Sequence, residues 1–392
     1  MSVGRVWYFD ALDDVCDRSS LNIVVGLRGC GKTSMLRDFC ETMSAKDHRS
    51  VIWLDSGKGD QMRDGKKLLS VARDRVSIQN DPIVVLDNVQ EVKGWADVAK
   101  ALLEKGLNVY VIGSTKDVLL DAVGANLPSQ YLEVTPLSFR EYACMRPRIE
   151  EKTLLKDYME YGGLPAVAIL IDDKIDLIPT VISGMYSTAL RDVVGRNEVR
   201  DMALMDALFV HLMKNIARSV SVRKVVSCLS DTYRKTSTET MDTYIKHLES
   251  AFLIYRSKKF DVISGEYLRT ADKFYASDVG LRNNTVGYSE EEDKAAIIEN
   301  LVYLELMRRS DSVSTGMLNG KEVDFVAFSG EERKYYQVHI GRDIRSLEKA
   351  AGILANIPDK FPKTVITLDD DPASKAQGVR SVGISDFLTG RD

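Results

Sequence analysis

The stretch Gly26-Leu27-Arg28-Gly29-Cys30-Gly31-Lys32-Thr33 fits the pattern GxxxxGK[ST] and constrains this 392-residue chain more than any other feature. Leu21-Asn22-Ile23-Val24-Val25 before it reads as a buried strand, and Ser34-Met35-Leu36-Arg37-Asp38-Phe39-Cys40 after it as an amphipathic helix. A strand, a glycine loop and a helix N-terminus together make an anion cradle. The glycines let backbone N–H groups point at phosphates, and the helix dipole favours negative charge there. On this reading Gly26 through Ser34 hold a nucleotide, Lys32 reaches the outer phosphates and the Thr33 hydroxyl sits on Mg²⁺. A glycine-rich turn that matched by chance would lack these flanks.

Residues 1–165 alternate strands and helices, which implies a parallel sheet with helices on both faces. Strands are expected at 50–55, 82–87, 108–114 and 131–134, with a polar helix around Gln61–Ala72. Pro82-Ile83-Val84-Val85-Leu86-Asp87 is apolar and ends in a carboxylate, which in a P-loop protein lies beside the nucleotide's Mg²⁺. Asp87 is therefore the second expected metal residue, with Thr33. Ser114, at the end of the 108–114 strand, could hydrogen-bond the terminal phosphate or the attacking water. It could equally cap a helix beginning near Lys116.

The cradle needs a domain around it, and the chain is long enough for two or three. A hydrophobic content of 44% with 28% charged residues is that of a soluble globular protein. No apolar run approaches the roughly 20 residues of a spanning helix, and the acidic N-terminus is not a secretory signal. Five widely spaced cysteines without CxxC spacing suit reduced thiols in a cytoplasmic protein. The net charge of −5 gives no support to wholesale nucleic-acid binding. Only residues 196–261 are basic, with 12 Lys and Arg against 8 Asp and Glu.

Residues 149–195 read as helical, broken at Tyr161-Gly162-Gly163-Leu164-Pro165, a turn to which no chemistry is assigned. Helices are expected at 203–216, 222–229 and 236–250, then a strand at 252–256 with 257–260 as its continuation or turn. Three helices and a β-ribbon form the winged-helix pattern. The third helix exposes Lys246 and His247 but also Glu239, Asp242 and Glu249, so DNA contact and an interdomain or self-association role both stand.

From about 290 the chain reads as a helix, 294–309, carrying Glu299, then a hairpin of 322–328 and 334–340. A helix at 345–357 and a strand at 363–367 follow. An acidic helix residue, a strand Asp at Asp324 and a polar pair on the next strand match a restriction-endonuclease layout, where carboxylates hold Mg²⁺ and a lysine polarises water. Here Gln337 stands at the acidic position and His339 at the lysine position. The missing ligand charge favours a fold kept for structure or binding.

Taken in order over some 300 residues, these strings resemble a prokaryotic AAA-type ATPase fused to a C-terminal region that combines a winged helix with a restriction-endonuclease-like domain. The marks are the cradle, Leu86-Asp87-Asn88-Val89-Gln90, Gly113-Ser114, Pro136-Leu137-Ser138-Phe139-Arg140-Glu141 and Gly162-Gly163-Leu164-Pro165. Tyr244 to Glu249, Lys273 to Leu281 and Glu299 to Tyr303 complete them. The resemblance implies a Glu after Asp87 to orient the attacking water, where this chain has Asn88. It also implies Gly-Arg just before Pro136, where Ser129 and Gln130 stand. Arg28 or Arg140 is the arginine left to substitute.

The expected organisation is an AAA-type P-loop domain over 1–148, a helical lid or linker over 149–200, a winged-helix-like domain over 201–285 and a degenerate restriction-endonuclease-like α/β domain over 286–392. The expected ligands are ATP and Mg²⁺, with Asn88 and Ser114 at the reacting end and turnover slow at best. Glu299 and Asp324 form a weaker second metal site. DNA through the winged helix and a ring-type homo-oligomer are the expected partners. A DNA-associated module with nucleotide as a structural ligand, and a Mg²⁺-dependent nuclease, are the rival readings.

Overall fold

The computed structural model describes residues 5–14, 20–57, 60–79, 81–196, 199–230, 236–341, 344–368 and 378–391. Cys16 lies outside them, and the other four cysteines are free thiols. In the N-terminal unit, helices α1 (Val6–Asp14), α2 (Lys32–Asp47), α3 (Gly65–Ser77), α4 (Trp95–Leu103) and α5 (Asp117–Gly124) alternate with five strands. These are β1 (Leu21–Val25), β2 (Val51–Asp55), β3 (Ile83–Asp87), β4 (Asn108–Gly113) and β5 (Ser129–Glu133). All pair in parallel, in the order 2-3-4-1-5. Right-handed crossovers put α2 on one face and α3, α4 and α5 on the other.

The central strands β1, β3 and β4 are buried at every position, while the edge strands β2 and β5 are not. That is the near-continuous apolar run of a sheet covered on both faces. The helix expected at Gln61–Ala72 is split: a 3₁₀ turn spans Asp60–Arg63, and α3 starts afresh at Gly65. Asp64 sets that start, its side chain accepting the Lys67 N–H as an N-cap.

A helical segment follows: α6 (Phe139–Met145), α7 (Glu151–Tyr161), α8 (Pro165–Leu170) and α9 (Ile178–Arg196). Ser138 and Glu141 close a capping box at the start of α6, which accounts for part of the Pro136–Glu141 string. The next unit comprises α10 (Met202–Lys214), β6 (Ser219–Val220), α11 (Val222–Ser230), α12 (Thr238–Ser250), β7 (Ile254–Ser257), β8 (Lys259–Asp261), β9 (Asp272–Ala276) and α13 (Val279–Val286). β6, β9 and β7 form a small antiparallel sheet in that order. Neither β6 nor β9 is expected from the sequence pattern.

The Gly162–Gly163 turn meets α13 across more than a hundred residues. Asp278 caps α13 by accepting Leu281 N–H at 3.0 Å, and its other oxygen accepts Gly163 N–H at 2.7 Å. A Cβ on Gly280 would stand 2.0 Å from the Tyr161 carbonyl oxygen.

The last unit contains α14 (Glu290–Arg309), β10 (Ser312–Leu318), β11 (Lys321–Ser329), β12 (Glu332–Val338), α15 (Ile344–Ala355), β13 (Lys363–Thr367), β14 (Arg380–Gly383) and α16 (Ile384–Thr389). Its sheet runs 14-13-12-11-10-8. The expected hairpin is β11 and β12, whereas β10 and β14 carry no clear sequence signal. Ser257 ends β7, and the residues after it do not continue that strand. Lys259 to Asp261 pair in parallel with Thr315 to Met317 of β10, so the chain passes between sheets within two residues. The C-terminal sheet thus draws a strand from before residue 286.

Candidate functional site

The ends of β1, β3 and β4 meet at one edge of the parallel sheet, on either side of the place where the strand order reverses. Ligands of open α/β sheets bind there. Gly26, Gly29 and Gly31 have φ of 148°, 81° and 98°, values open to glycine and strained for other residues. Gly26 is needed for space as well, since a Cβ there would lie 2.1 Å from the Val134 carbonyl oxygen. Cys30 is buried, its thiol donating to that same carbonyl at 3.0 Å, and Leu27 is buried beside it. Ser34 is exposed on the first turn of α2.

Lys32 is buried, and Nζ donates to the carbonyls of Gly26 (2.8 Å) and Leu27 (2.9 Å). Burial lowers its pKa, an effect that the charge of Asp87 opposes. The Thr33 hydroxyl donates to Asp87 Oδ2 at 3.1 Å, and the Trp53 indole N–H reaches the same oxygen at 3.3 Å. Burial first, then the neighbouring Asp55 carboxylate, pushes the Asp87 pKa up. Thr33 and Asp87 are thus hard oxygen donors in contact, and the buried carboxylate would be relieved by a cation. These residues suit Mg²⁺.

Asn88 follows Asp87 with φ of 58°, and its side-chain amide donates to Asp55 Oδ1 at 3.0 Å. Ser114 is buried, and its backbone N–H donates to Gln90 Oε1 at 3.3 Å. It is not the cap of α5, because the N-cap position there is Lys116, without a side-chain cap bond. Arg28 is engaged by Asp192 of α9 at 2.9 Å, and α9 also sets Met185 against Gly29. Arg140 is exposed and lines a cleft of about 450 Å³ with Cys144 and Arg391. Ser129 and Gln130 pair with Leu21 and Asn22, at the opposite end of the sheet from Gly26. An arginine there would lie too far away to serve the cradle of its own chain.

The cradle is tied to the C-terminal units by groups that sequence reasoning misses. Buried Arg5 donates to Glu141 (2.8 and 3.1 Å), to the Cys30 carbonyl in the glycine loop (3.0 Å) and to the Thr135 carbonyl (2.9 Å). Arg308 of α14 donates to the Thr135 hydroxyl (3.0 Å), the Pro136 carbonyl (3.2 Å) and Glu305 (3.1 Å). Beyond β4, Lys116 N–H donates to the Ser250 carbonyl of α12 at 2.9 Å, and the Ser250 hydroxyl bonds Asp117. Tyr255 donates to Glu133 at 2.6 Å. Four widely spaced arginine, lysine and tyrosine positions carry no local signal of this kind.

The second expected site is also assembled, with different members. Glu299 accepts from Lys273 Nζ (2.9 Å) and the Tyr275 hydroxyl (2.8 Å), both on β9. Lys273 is buried and also pairs with Glu322 at 2.6 Å. Asp324 is buried and accepts the Val338 N–H at 2.8 Å. Burial and the Glu299 charge, opposed by Lys273, raise its pKa to about 7. Gln337 Oε1 is buried without a hydrogen-bond partner among the described residues. His339 is buried, and its ring lies 3.3 Å from the Ser346 hydroxyl of α15. A cation is supplied within the cluster by Lys273, and among the described residues no three His, Cys, Asp or Glu are grouped to hold a metal ion. Lys273 thus joins the expected pair of Glu299 and Asp324 in one ion cluster.

Strand, glycine loop, helix and a carboxylate two strands away form a P-loop arrangement. Comparison with known sequences agrees, since residues 18–143 match the AAA domain family and residues 152–292 a domain of unknown function. An uncharacterized protein of Haemophilus influenzae is 28% identical over 400 residues, covering 98% of each chain. An uncharacterized protein of Methanocaldococcus jannaschii is 26% identical, covering 91% of this chain and 84% of its own. Among solved structures, AMPPCP-bound DnaA from Aquifex aeolicus is similar at 10% identity and a TM-score of 0.31, over 64% of this chain and 88% of that one. Cdc6p from Pyrobaculum aerophilum is similar at 10% identity and 0.33, over 77% and 94%. Superpositions this loose carry nothing further. No described helix is long and apolar enough to cross a membrane.

Proposed function

We propose that the chain binds ATP with Mg²⁺ at Gly26–Ser34, hydrolyses it slowly, and passes the state of that site to its C-terminal units. The observation that carries this reading is the complete binding set: three glycines at positive φ, Lys32 within the loop, and Thr33 against Asp87. Thr33 and Asp87 would hold Mg²⁺, which would neutralise charge on the phosphates. Titration with ATP at millimolar Mg²⁺ tests it, using wild type and Lys32→Ala with thermal unfolding as a folding control. Wild type is expected to bind at least tenfold more tightly, since one lost charge-assisted contact is worth about 1.5–3 kcal/mol. Absence of binding by both proteins sinks the reading.

The helix–strand–helix–helix–strand–strand order of 201–285 supports a winged helix, and the mixed sheet of 286–392 with α14 and α15 supports a restriction-endonuclease-like domain. Transmission between the units is supported by the Arg5 and Arg308 contacts and by the Lys116–Ser250 bond. The second reading, DNA contact, is favoured by exposed Lys214, Arg218, Arg223 and Lys224. Against it, α12 turns Glu239 outward, and the β7–β9 connection is held in the other sheet through β8. A steep fall of DNA affinity with salt would support DNA contact, and salt-insensitive binding would argue against it. Cleavage at Glu299 and Asp324 is the weakest reading: Lys273 is tied into ion pairs with Glu299 and Glu322, and Gln337 adds no ligand charge.

A further inference from the structure

We propose that Asp55 supplies the carboxylate missing after Asp87, acting as general base toward the attacking water, with Asn88 as its positioning residue. This assignment rests on the nucleotide reading above. It begins with register: β2 and β3 are parallel, and Asp55 pairs directly with Asp87. Paired positions of neighbouring strands are about 5 Å apart and face the same way. The two carboxylates therefore emerge side by side at the edge that carries Gly26 and Thr33. The lift that Asp55 gives to the Asp87 pKa reflects that closeness.

The two acids are held differently. Asp87 is buried and takes Thr33 and Trp53, as a metal-side carboxylate would. Asp55 is half-buried. Its Oδ1 takes two donors, the Asn88 amide at 3.0 Å and Gly57 N–H at 2.9 Å. No bond to Oδ2 exists among the described residues, so one oxygen is pinned while the other is open to accept a proton. An Asp that merely closed a turn would need Gly57 alone. The Asn88 amide is a second constraint, brought there by a left-handed backbone that Asn tolerates well. A Cβ on Gly57 would lie 3.2 Å from Asp55 Oδ1 and 3.6 Å from Asn88 Nδ2, so this position leaves the pair undisturbed.

In the step itself, the water oxygen bonds to the γ-phosphorus as its proton passes to Asp55 Oδ2. The bond from that phosphorus to the β–γ bridging oxygen breaks, and its electron pair stays on ADP. The proton then passes from Asp55 to the released phosphate. Nothing beyond ATP and water is consumed, and nothing is oxidised.

Phosphate release and equilibrium ATP binding, measured side by side at millimolar Mg²⁺, test the assignment. Asp55→Asn is expected to lower kcat by about 10²–10⁴, the usual contribution of a general base, while leaving the Kd for ATP within a few-fold of wild type. Asp55→Glu keeps the charge but displaces it by one methylene, and should fall between the two. Asn88→Ala should lower kcat rather than raise KM. The double variant Asp55→Asn with Asn88→Glu should recover turnover, a rescue that a purely structural Asp55 would not permit. Undiminished kcat in Asp55→Asn, loss of ATP binding in that variant, or wild-type binding without phosphate release overturns the assignment of Asp55. Failure of wild type to bind ATP at all removes the nucleotide reading beneath it, which the binding arm reports separately.

Discussion

Asp324 accepts the amide of Val338, and burial first, then the charge of nearby Glu299, raises its pKa to about 7. In the unfolded chain the same carboxyl releases its proton near pH 4. Between these values the folded state binds more protons, so the contribution of Asp324 to stability is present at low pH and is lost as pH rises through 7. Asp324→Asn is neutral throughout and keeps an oxygen for Val338 N–H. It should lessen the fall in Tm between pH 5 and pH 8, and a fall identical to wild type would refute this. Asp278 belongs to the same class, raised to about 6 by burial. Each of its oxygens accepts a backbone N–H, so Asp278→Asn turns an N–H donor toward another donor, and thermal unfolding should show a loss of about 1–3 kcal/mol. At this scale the sequence is legible where the chemistry is contiguous. Lys32, Thr33 and Asp87 lie where the glycine loop and strand ends imply, whereas Lys273 and Asp55 depend on which strands become neighbours, and no local pattern reports that.

The strand–loop–helix of the cradle was readable because each part declares itself: an apolar strand, glycines that must take positive φ, and a helix face with its own spacing. Central strands were readable for the same reason, since β1, β3 and β4 are continuously apolar and buried. β6, with two residues, and β8, with three, are too short to set a period, and they exist because a partner strand pairs with them. The Gly162–Gly163 turn, legible only as a break in helix, proves to be a docking point for α13. Gly280→Ala measures how tightly it docks. With the added carbon 2.0 Å from a carbonyl oxygen, α13 must move away from α7, and a loss of about 1–3 kcal/mol is expected by denaturant titration. No change in midpoint would mean that the two helices yield freely.

Across the whole molecule, the arginine of the last helical turn of α14 and the arginine preceding α1 converge on Thr135. The glycine loop and the C-terminal unit thereby share a polar junction. Arg308→Met leaves Glu305 and the Pro136 carbonyl short of a partner in a buried setting. A loss of about 3–5 kcal/mol is expected, with hydrogen exchange rising together in α14 and in the segment after β5. Exchange confined to α14 would show that the junction transmits nothing. The chain's division into units is a property of sequence position only up to β7. Two residues later, β8 has crossed into the C-terminal sheet and forms its edge. For the history of such a gene the consequence is direct. A foreign C-terminal unit joined near residue 286 would complete its sheet only if its own β10 offered Lys259 to Asp261 the parallel register that Thr315 to Met317 offer here.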